Sequence, residues 1–296
     1  MSLQATTDDP LYAVPAAQRP AYATGMLLDA QDFSDEQTYH RGRLARALAS
    51  LGGSGTLAGL AVQYVAQGAT QPEEVAVQPG LAIDRLGRLV ELPRSACLRL
   101  ANWYAATLAA DAGDTLTTST YANLARFVSQ RATDDALALP TRAVVADVFI
   151  RFGACAVGLT PSFAAGPFDA LNAVSTSRLS DAYELLLVAR TGLSDTYDGL
   201  PIPPADPSLG DDTATQAARR DAMQDAVLAP YTGALPLAPA PEQPPELDPS
   251  AVFLARVFLP VDGSTPPVRT ADPPVVDNYA RNFVPPAALF AQRAGL

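Results

Sequence analysis

The 296-residue chain contains no lysine, one histidine, one tryptophan and two cysteines. All 20 basic residues are therefore arginine, and 31 acidic residues give a formal net charge of −11. Non-specific nucleic-acid binding needs a dense cationic surface, so this charge argues against it. The exclusive use of arginine reflects either a GC-rich genome or a preference for planar, bidentate interface contacts. We expect no nucleic-acid partner.

Long hydrophobic runs are also missing, since no apolar stretch approaches the length needed to cross a bilayer. The first 20 residues lack the basic start and apolar stretch of a signal peptide. We therefore expect no membrane insertion, and a protein that stays in the cytoplasm until assembly or lysis releases it. Cys97 and Cys155 lie in apolar, strand-like stretches, which favours two buried reduced thiols over a disulfide.

The stretch 25–95 begins with a predicted helix. Asp29 and Asp32 precede an apolar-periodic run, as is typical of a helix N-terminus, and Ser34 with Gln37 offers a second start one turn later. The GGSG run at 52–55 ends the helix. The spacing of the run predicts either a core-facing helix or a short coiled-coil seam, in which polar residues would fix register or oligomer state. The interface candidates along this stripe are Phe33, Gln37, His40, Leu44, Leu48 and Leu51.

Beyond the glycine run the apolar period changes to two, which predicts strands at 57–64, 75–84 and 89–92, with residues 85–88 as a hairpin connection. A turn at Pro79 and Gly80 breaks the second of these strands. Further buried strands are predicted at 143–152, 183–190 and 251–259, the last of them rejoining the same sheet. The fold class we predict is α+β and mainly β: an N-terminal helix feeding antiparallel, sandwich-like or barrel-like sheet domains, with helical and proline-rich insertions.

The same patterns divide the chain into segments. We also expect a three-turn helix at 121–131, a strand or cap at 115–120, a helix within 213–230, and an Arg178–Asp181 ion pair that pins a loop. The segments are an extended N-terminal arm (1–24), a helix plus small β unit (25–95), a helical insertion (96–142), a β domain (143–262) with a proline-rich and helical excursion (197–250), and a C-terminal docking segment (263–296).

No catalytic, cofactor-binding or metal-binding set stands out. The two cysteines lack the C-x-x-C spacing of a zinc site, and His40 lies on the predicted stripe, where an interface role is favoured over a catalytic one. GGSGTLAG follows a helix and lacks the Lys-Ser/Thr end of a phosphate-binding loop. The paired carboxylates at 134–135 and 211–212 are interpreted as solvated turn residues. We therefore expect a protein that is not an enzyme and has no cofactor.

Three motifs occur in order along the chain: G-x-LL-x-x-x-DF-x-x-EQ-x-Y, then G-x-G-T-x-x-GL-x-V, then V-x-PG-x-A-x-D-x-x-GR. Together they resemble a family of phage tail and baseplate-associated proteins, also encoded with contractile injection systems. The resemblance continues in a loop around Gly166 and Phe168, in the S-R-x-x-D-x-YEL stretch at 177–185, and in a C-terminal DN-x-x-R-x-F-V segment. That last segment supplies four more interface candidates: Asp277, Asn278, Arg281 and Phe283.

The resemblance implies a structural part of a tail, baseplate or fibre attachment, found in a virion or injection-system particle. Its partners would be copies of itself, with a trimer favoured over two- or sixfold rings, and other tail or baseplate proteins. The alternative is a carbohydrate-binding or carbohydrate-active protein that recognises a cell surface. Sugar platforms stack on aromatic faces, and this chain is only 7% aromatic with Trp103 as its single tryptophan.

Overall fold

The computed structural model describes residues 9–13, 17–161, 174–202, 216–230 and 237–285. Within these ranges the fold is α+β and mainly β, with one long helix leading into antiparallel sheets, as the sequence predicts. The motif around Gly166 and Phe168, and the carboxylates Asp211 and Asp212, lie outside the described residues.

Five α-helices and eleven strands make up the described fold. The helices are α1 (Ala30–Gly52), α2 (Leu100–Ala110), α3 (Asp114–Thr118), α4 (Gln130–Asp134) and α5 (Gln216–Leu228), with 3-10 turns at Pro10–Tyr12 and Leu124–Phe127. The strands are β1 (Gly55–Gly59), β2 (Val62–Val65), β3 (Glu74–Val77), β4 (Gly80–Ile83), β5 (Leu89–Leu92), β6 (Ala96–Arg99), β7 (Thr120–Ala122), β8 (Arg142–Pro161), β9 (Val174–Ala189), β10 (Val252–Pro260) and β11 (Val275–Asp277).

The strands form three antiparallel sheets. Two small sheets have the orders β1-β4-β5 and β2-β3-β6. The predicted second strand is therefore divided between them, as β3 and β4, by a turn at 78–79. The large sheet has the order β11-β10-β8-β7, and β9 pairs with β8 beyond the end of β7. The predicted return of the 251–259 strand to the sheet of the 143–152 strand is confirmed by the β10–β8 pairing.

The large sheet is buried on both faces. On one face, side chains of β8 and β10 join those of both small sheets in the main hydrophobic core. On the other face, two smaller clusters form around Phe127 and Phe149, covered by the segments 124–127, 193–200 and 247–251. A strand covered on both faces is continuously apolar, which explains why β8 and β10 do not alternate between apolar and polar residues.

Helix α1 begins and ends where the sequence predicts. The Asp29 side chain accepts hydrogen bonds from the Gln31 and Asp32 N–H groups, and the Asp32 side chain accepts one from the Asp29 N–H. This reciprocal cap satisfies N–H groups that have no partner inside the helix. At the other end Gly53 adopts a φ of 70°, a left-handed value that glycine tolerates, and the chain leaves the helix.

The region 96–142 differs from the prediction. Where a strand or cap was predicted at 115–120, residues 114–118 form the short helix α3 and Ser119 caps its end. The predicted helix at 121–131 is replaced by β7, a 3-10 turn and α4. Tertiary contacts override the local pattern here, because Tyr121 pairs with Ala143 of β8 while Leu124 and Phe127 pack on the outer face of the large sheet.

The strands β8 and β9 extend past the rest of the sheet as a two-stranded ribbon. The β10 pairing ends at Ile150, whereas the β8–β9 pairing continues to Pro161 opposite Val174. Near the rest of the sheet, Tyr183, Leu185 and Leu187 point into the main core. The predicted Arg178–Asp181 ion pair is wrong, because residues three apart in a regular strand point to opposite faces.

Candidate interface surfaces

Helix α1 packs on its own chain through a narrow line of small residues. Ala45 is 5% exposed, and the backbone of Gly87 lies so close that a methyl group there would be 1.9 Å from the Ala45 carbonyl oxygen. Gly52 faces Val284 at the C-terminal end of the helix. The intramolecular contact of α1 therefore uses a face that lies beside the predicted apolar stripe and meets it at Leu48.

The predicted stripe lies on the outside of α1. Phe33 is 50% exposed, Leu44 63% and Leu51 89%, while Leu48 is half-buried at the margin of the packed face. The two sequence-based alternatives were a core-facing helix and a seam, and the stripe does not face the core of its own chain. The apolar surface extends into the segment before the helix through Leu27.

Gln37 and His40 are both exposed in the middle of this stripe. His40 Nε2 lies 3.9 Å from Glu36 Oε1, and its ring meets the Tyr39 ring edge-on at 5.3 Å between centroids. Glu36 also accepts a hydrogen bond from the Tyr22 hydroxyl. His40 is thus held in local contacts with Glu36 and Tyr39 and remains exposed.

The N-terminal arm is anchored to its own chain at residues 9–13. Leu11 is 5% exposed, and the Tyr12 hydroxyl lies 2.9 Å from Ser250 Oγ. Asp9 forms ion pairs with Arg41 of α1 at 2.9 Å and with Arg88 at 3.0 Å. These contacts join the arm, the first helix and the hairpin that follows it.

The D-x-x-G-R motif forms the β4–β5 hairpin by closing a buried hydrogen-bonded loop. Asp84 is fully buried; one carboxylate oxygen accepts the N–H groups of Leu86 and Arg88, and the other accepts Arg88 Nε at 2.7 Å. Burial raises the pKa of Asp84, against the opposing charge of Arg88. Arg88 then reaches Ser250 Oγ at 2.9 Å, so the motif ties the hairpin to the distant start of β10.

Three of the C-terminal interface candidates hold the C-terminal segment on its own chain. Asp277 accepts hydrogen bonds from the backbone and hydroxyl of Ser129. The Asn278 amide exchanges two hydrogen bonds with the backbone of Val62, at 2.8 and 2.9 Å. Arg281 is 5% exposed and donates to the Leu60 carbonyl at 2.8 Å.

Burial lowers the pKa of Arg281 to about 10, with Asp277 opposing the shift. Phe283 differs from these three, because it is 55% exposed although its backbone bridges to Thr56. Asp277, Asn278 and Arg281 therefore bind other parts of their own chain. Phe283 is the member of this group whose apolar surface is exposed. Leu289 and Phe290, two apolar residues of the same predicted docking segment, lie outside the described ranges.

The most deeply buried charges were not singled out from the sequence. Asp147 of β8 is fully buried and accepts hydrogen bonds from Arg256 Nε at 2.7 Å and Arg256 Nη2 at 2.9 Å. Arg190 Nε lies 3.2 Å from the same carboxylate and forms an ion pair with it. Other N–H groups of the two guanidiniums donate to backbone carbonyls, among them those of Gly199 for Arg256 and Glu242 for Arg190. One signal could have found the cluster: Asp147 and Arg256 are opposite charges within long apolar stretches of two strands that the sequence assigns to one sheet.

The cysteines correct one prediction. Cys97 is exposed, Cys155 is half-buried, and the two are free thiols without a disulfide between them. Both thiols were expected to be buried, but Cys155 is only half-buried. Strand β6 alternates between half-buried and exposed residues, and Cys97 occupies an exposed position. Side-chain alternation along an edge strand accounts for this difference.

Comparison with known protein families and with curated proteins finds no match to this chain. Among the described residues, no group of three or more His, Cys, Asp and Glu side chains is placed to hold a metal ion. None of the helices that the structure describes has both the length and the apolarity needed to cross a bilayer. Asp134 and Asp135 lie on the surface of α4 and its end, as expected for solvated carboxylates.

Proposed function

We propose that this protein is a structural, non-enzymatic component of a phage tail or a phage-tail-like contractile injection system, in the baseplate or fibre-attachment region. It is assembled in the cytoplasm and becomes part of the particle. It acts through protein–protein interfaces: three copies associate through the outer face of α1, and further surfaces contact neighbouring tail proteins. The proposal rests on the sequence resemblance and on the character of that helix face.

The observation that carries the proposal is the exposed stripe of α1. Phe33, Leu44 and Leu51 lie on one side of the helix over 18 residues, about 27 Å at 1.5 Å per residue. Fully burying a large apolar side chain contributes about 1.5–3 kcal/mol. Within the part of the chain that the structure describes, α1 contacts its own chain through Ala45, and this second apolar line stays largely exposed.

Gln37 and His40 give the stripe its specificity. A polar side chain at a seam position lowers the stability of an assembly but disfavours registers and oligomer states in which it has no partner. Both polar residues lie at the centre of the stripe, and the leucines lie towards its C-terminal end. When helices from different copies align in register, polar side chains meet polar ones and leucines meet leucines; other registers bury a polar side chain against a leucine. Threefold symmetry is our first choice because tail-fibre parts are often trimeric, with two- or sixfold rings as the alternative.

The alternative function, recognition of a cell-surface carbohydrate, gains no specific support. The Trp103 indole N–H donates to the Leu187 carbonyl at 2.6 Å, and its ring is half-buried beside Tyr104. A sugar platform needs an aromatic face free for stacking. The single tryptophan is used instead to fasten α2 to β9.

Light scattering of the purified full chain tests the proposal. We expect a mass three times the 30.9 kDa of one chain. Leu44→Asp should shift the protein to monomer, because it places a charge in the seam at a position that is 63% exposed in the single chain. Gln37→Leu and His40→Leu should change the number of copies, because they remove the groups that select it.

The matched control is Leu228→Asp, which makes the same change on α5 at a leucine that is 81% exposed. It should leave the mass unchanged. Two results would contradict assembly through α1. One is a wild-type protein that stays monomeric at all accessible concentrations, and the other is the same mass for Leu44→Asp and Leu228→Asp. A solitary recognition protein would then become the better hypothesis.

A further inference from the structure

A cleft of about 500 Å³ lies beside the end of β9. One wall comes from α2 and α3, through Trp103, Thr107 and Thr115. The opposite wall is the proline-containing segment 243–246 together with Tyr197. The edge of β9 itself, residues 187–189, forms the floor.

The floor is the edge of β9 that faces away from β8, and none of the strands that the structure describes pairs with it. The Arg190 N–H donates to the Val145 carbonyl, so in the antiparallel register Val188 also directs its backbone groups towards β8, and Leu187 and Ala189 direct theirs away from it. The Leu187 carbonyl accepts the Trp103 indole N–H, which confirms this orientation. Within the described residues, nothing hydrogen-bonds to the Leu187 N–H, the Ala189 N–H or the Ala189 carbonyl.

The two walls rise on opposite faces of the sheet. Leu187 and Trp103 belong to the main core, whereas Val188 and Leu247 belong to the cluster on the other face. A strand added to this edge would lie between the walls, and its side chains would contact them alternately, since successive side chains of a strand point to opposite faces.

The polar side chains that line the cleft are largely engaged already. Thr107 Oγ1 donates to the Trp103 carbonyl, Thr115 Oγ1 to Asp111, and the Tyr197 hydroxyl to the Pro241 carbonyl. Both ends of the Gln243 amide are also bonded, to Arg85 and to Ala251. At the floor, the Leu187 N–H and both backbone groups of Ala189 are left without a partner among the described residues, and main-chain groups at a sheet edge recognise another extended backbone.

We propose that this cleft binds an extended polypeptide segment of a partner protein as an added strand on the edge of β9. Glu246 lies exposed at the rim, so the segment carries a basic residue opposite this carboxylate. The volume lies within the range of about 300–1,000 Å³ that is usual for binding clefts. The site is separate from the α1 stripe and does not depend on self-association.

Selection of displayed random peptides of about twelve residues on the full-length protein tests this proposal. Selected peptides are synthesised and titrated while the fluorescence of Trp103, the single tryptophan, is recorded. We expect basic peptides that change this fluorescence on binding. Methylation of alternate backbone nitrogens should weaken binding about tenfold or more, because it removes the N–H groups that an added strand donates. Glu246→Gln should weaken binding of the basic peptides.

Two threonines give a matched pair of variants. Each lies in a helix, and its hydroxyl donates a hydrogen bond to the backbone carbonyl four residues earlier. Thr107 lines the cleft, whereas Thr118 is exposed away from it. Thr107→Tyr should fill the cleft and weaken binding about tenfold or more, whereas Thr118→Tyr should leave it within about twofold. Circular dichroism and the urea midpoint establish that both variants remain folded.

Three results would overturn the inference. The first is a selection in which no peptide binds the Thr107→Tyr variant more weakly than the wild-type protein. The second is binding that survives backbone methylation, which would mean recognition of side chains elsewhere. The third is a fluorescence response to oligosaccharides, blocked by Thr107→Tyr and absent with peptides, which would assign the cleft to a glycan instead.

Discussion

At the scale of single residues, the cluster around Asp147 has the largest energetic consequence. One fully buried carboxylate faces two buried guanidinium groups, of Arg190 and Arg256. Removing one member of a buried ion pair leaves the other charge uncompensated, which costs about 3–5 kcal/mol. Asp147→Asn should therefore lower the free energy of unfolding by about this amount, measured by urea denaturation.

The control for Asp147 is the exposed pair Arg131–Asp135, separated by 3.5 Å with both side chains 63% exposed. Asp135→Asn should change stability by less than about 1 kcal/mol, because exposed ion pairs contribute little. Equal effects of the two substitutions would mean that the Asp147 carboxylate is not an essential counter-charge of the core.

Gly87 is required by both its conformation and its surroundings. Its φ is +85°, and an added methyl group would lie 1.9 Å from the Ala45 carbonyl oxygen. Left-handed backbone costs a non-glycine residue about 1–2 kcal/mol, and overpacking adds about 1–3 kcal/mol. Gly87→Ala should destabilise the protein by the sum of both effects in urea denaturation. Gly192, with a φ of +74° and nothing within 4 Å, isolates the conformational part, so Gly192→Ala should cost clearly less.

Glu73 gives a prediction about pH. Hydrogen bonds from Arg269 lower its pKa below the ordinary 4.5, against the effect of burial. A carboxyl with a lowered folded-state pKa contributes stability above its unfolded pKa and loses it as the pH falls through the folded value. The stability difference between wild type and Glu73→Gln should be full near neutral pH and shrink below 4.5, in urea titrations at several pH values. A difference that stays constant with pH would mean that the charge of Glu73 is unimportant.

At the scale of elements, the sequence predicts strands better than short helices. The strands at 143–152, 183–190 and 251–259 are long and apolar, and α1 has its cap, its periodicity and its terminal glycines. By contrast, α3 and α4 are five residues each, too short for a clear period. Their positions follow from contacts such as Phe127 on the large sheet, which lie far apart in sequence.

The β8–β9 ribbon should show graded stability along its length. Residues 144–150 of β8 are buried between neighbours on both edges, whereas residues 156–161 pair with β9 alone. An isolated two-stranded ribbon is at best marginally stable in water. Amides of the outer part that bond across the ribbon should exchange with deuterium about tenfold or more faster than those of 144–150. Equal protection along the ribbon in the isolated protein would indicate that another surface covers it.

At the scale of the whole molecule, the described parts of the N-terminal and C-terminal halves share one core. Val62, Val90 and Leu254 come from three different sheets and meet in the same cluster. Local periodicity does not specify which strands meet, because pairing depends on contacts between distant residues. The candidate stripe on α1 could be predicted as a pattern, but its outward orientation depends on how Ala45 packs against Gly87, and the cleft beside β9 has no local signal.

The most direct test of assembly through α1 is disulfide trapping between protomers. In a Cys97→Ser, Cys155→Ser background, one new cysteine is placed either in the stripe by Gln37→Cys or at exposed Ser50, off the stripe, by Ser50→Cys. Mild oxidation of the full chain should join protomers through Gln37→Cys and leave Ser50→Cys unlinked, because only the stripe brings copies into contact. Efficient linking at Ser50→Cys, or none at Gln37→Cys, would contradict the account.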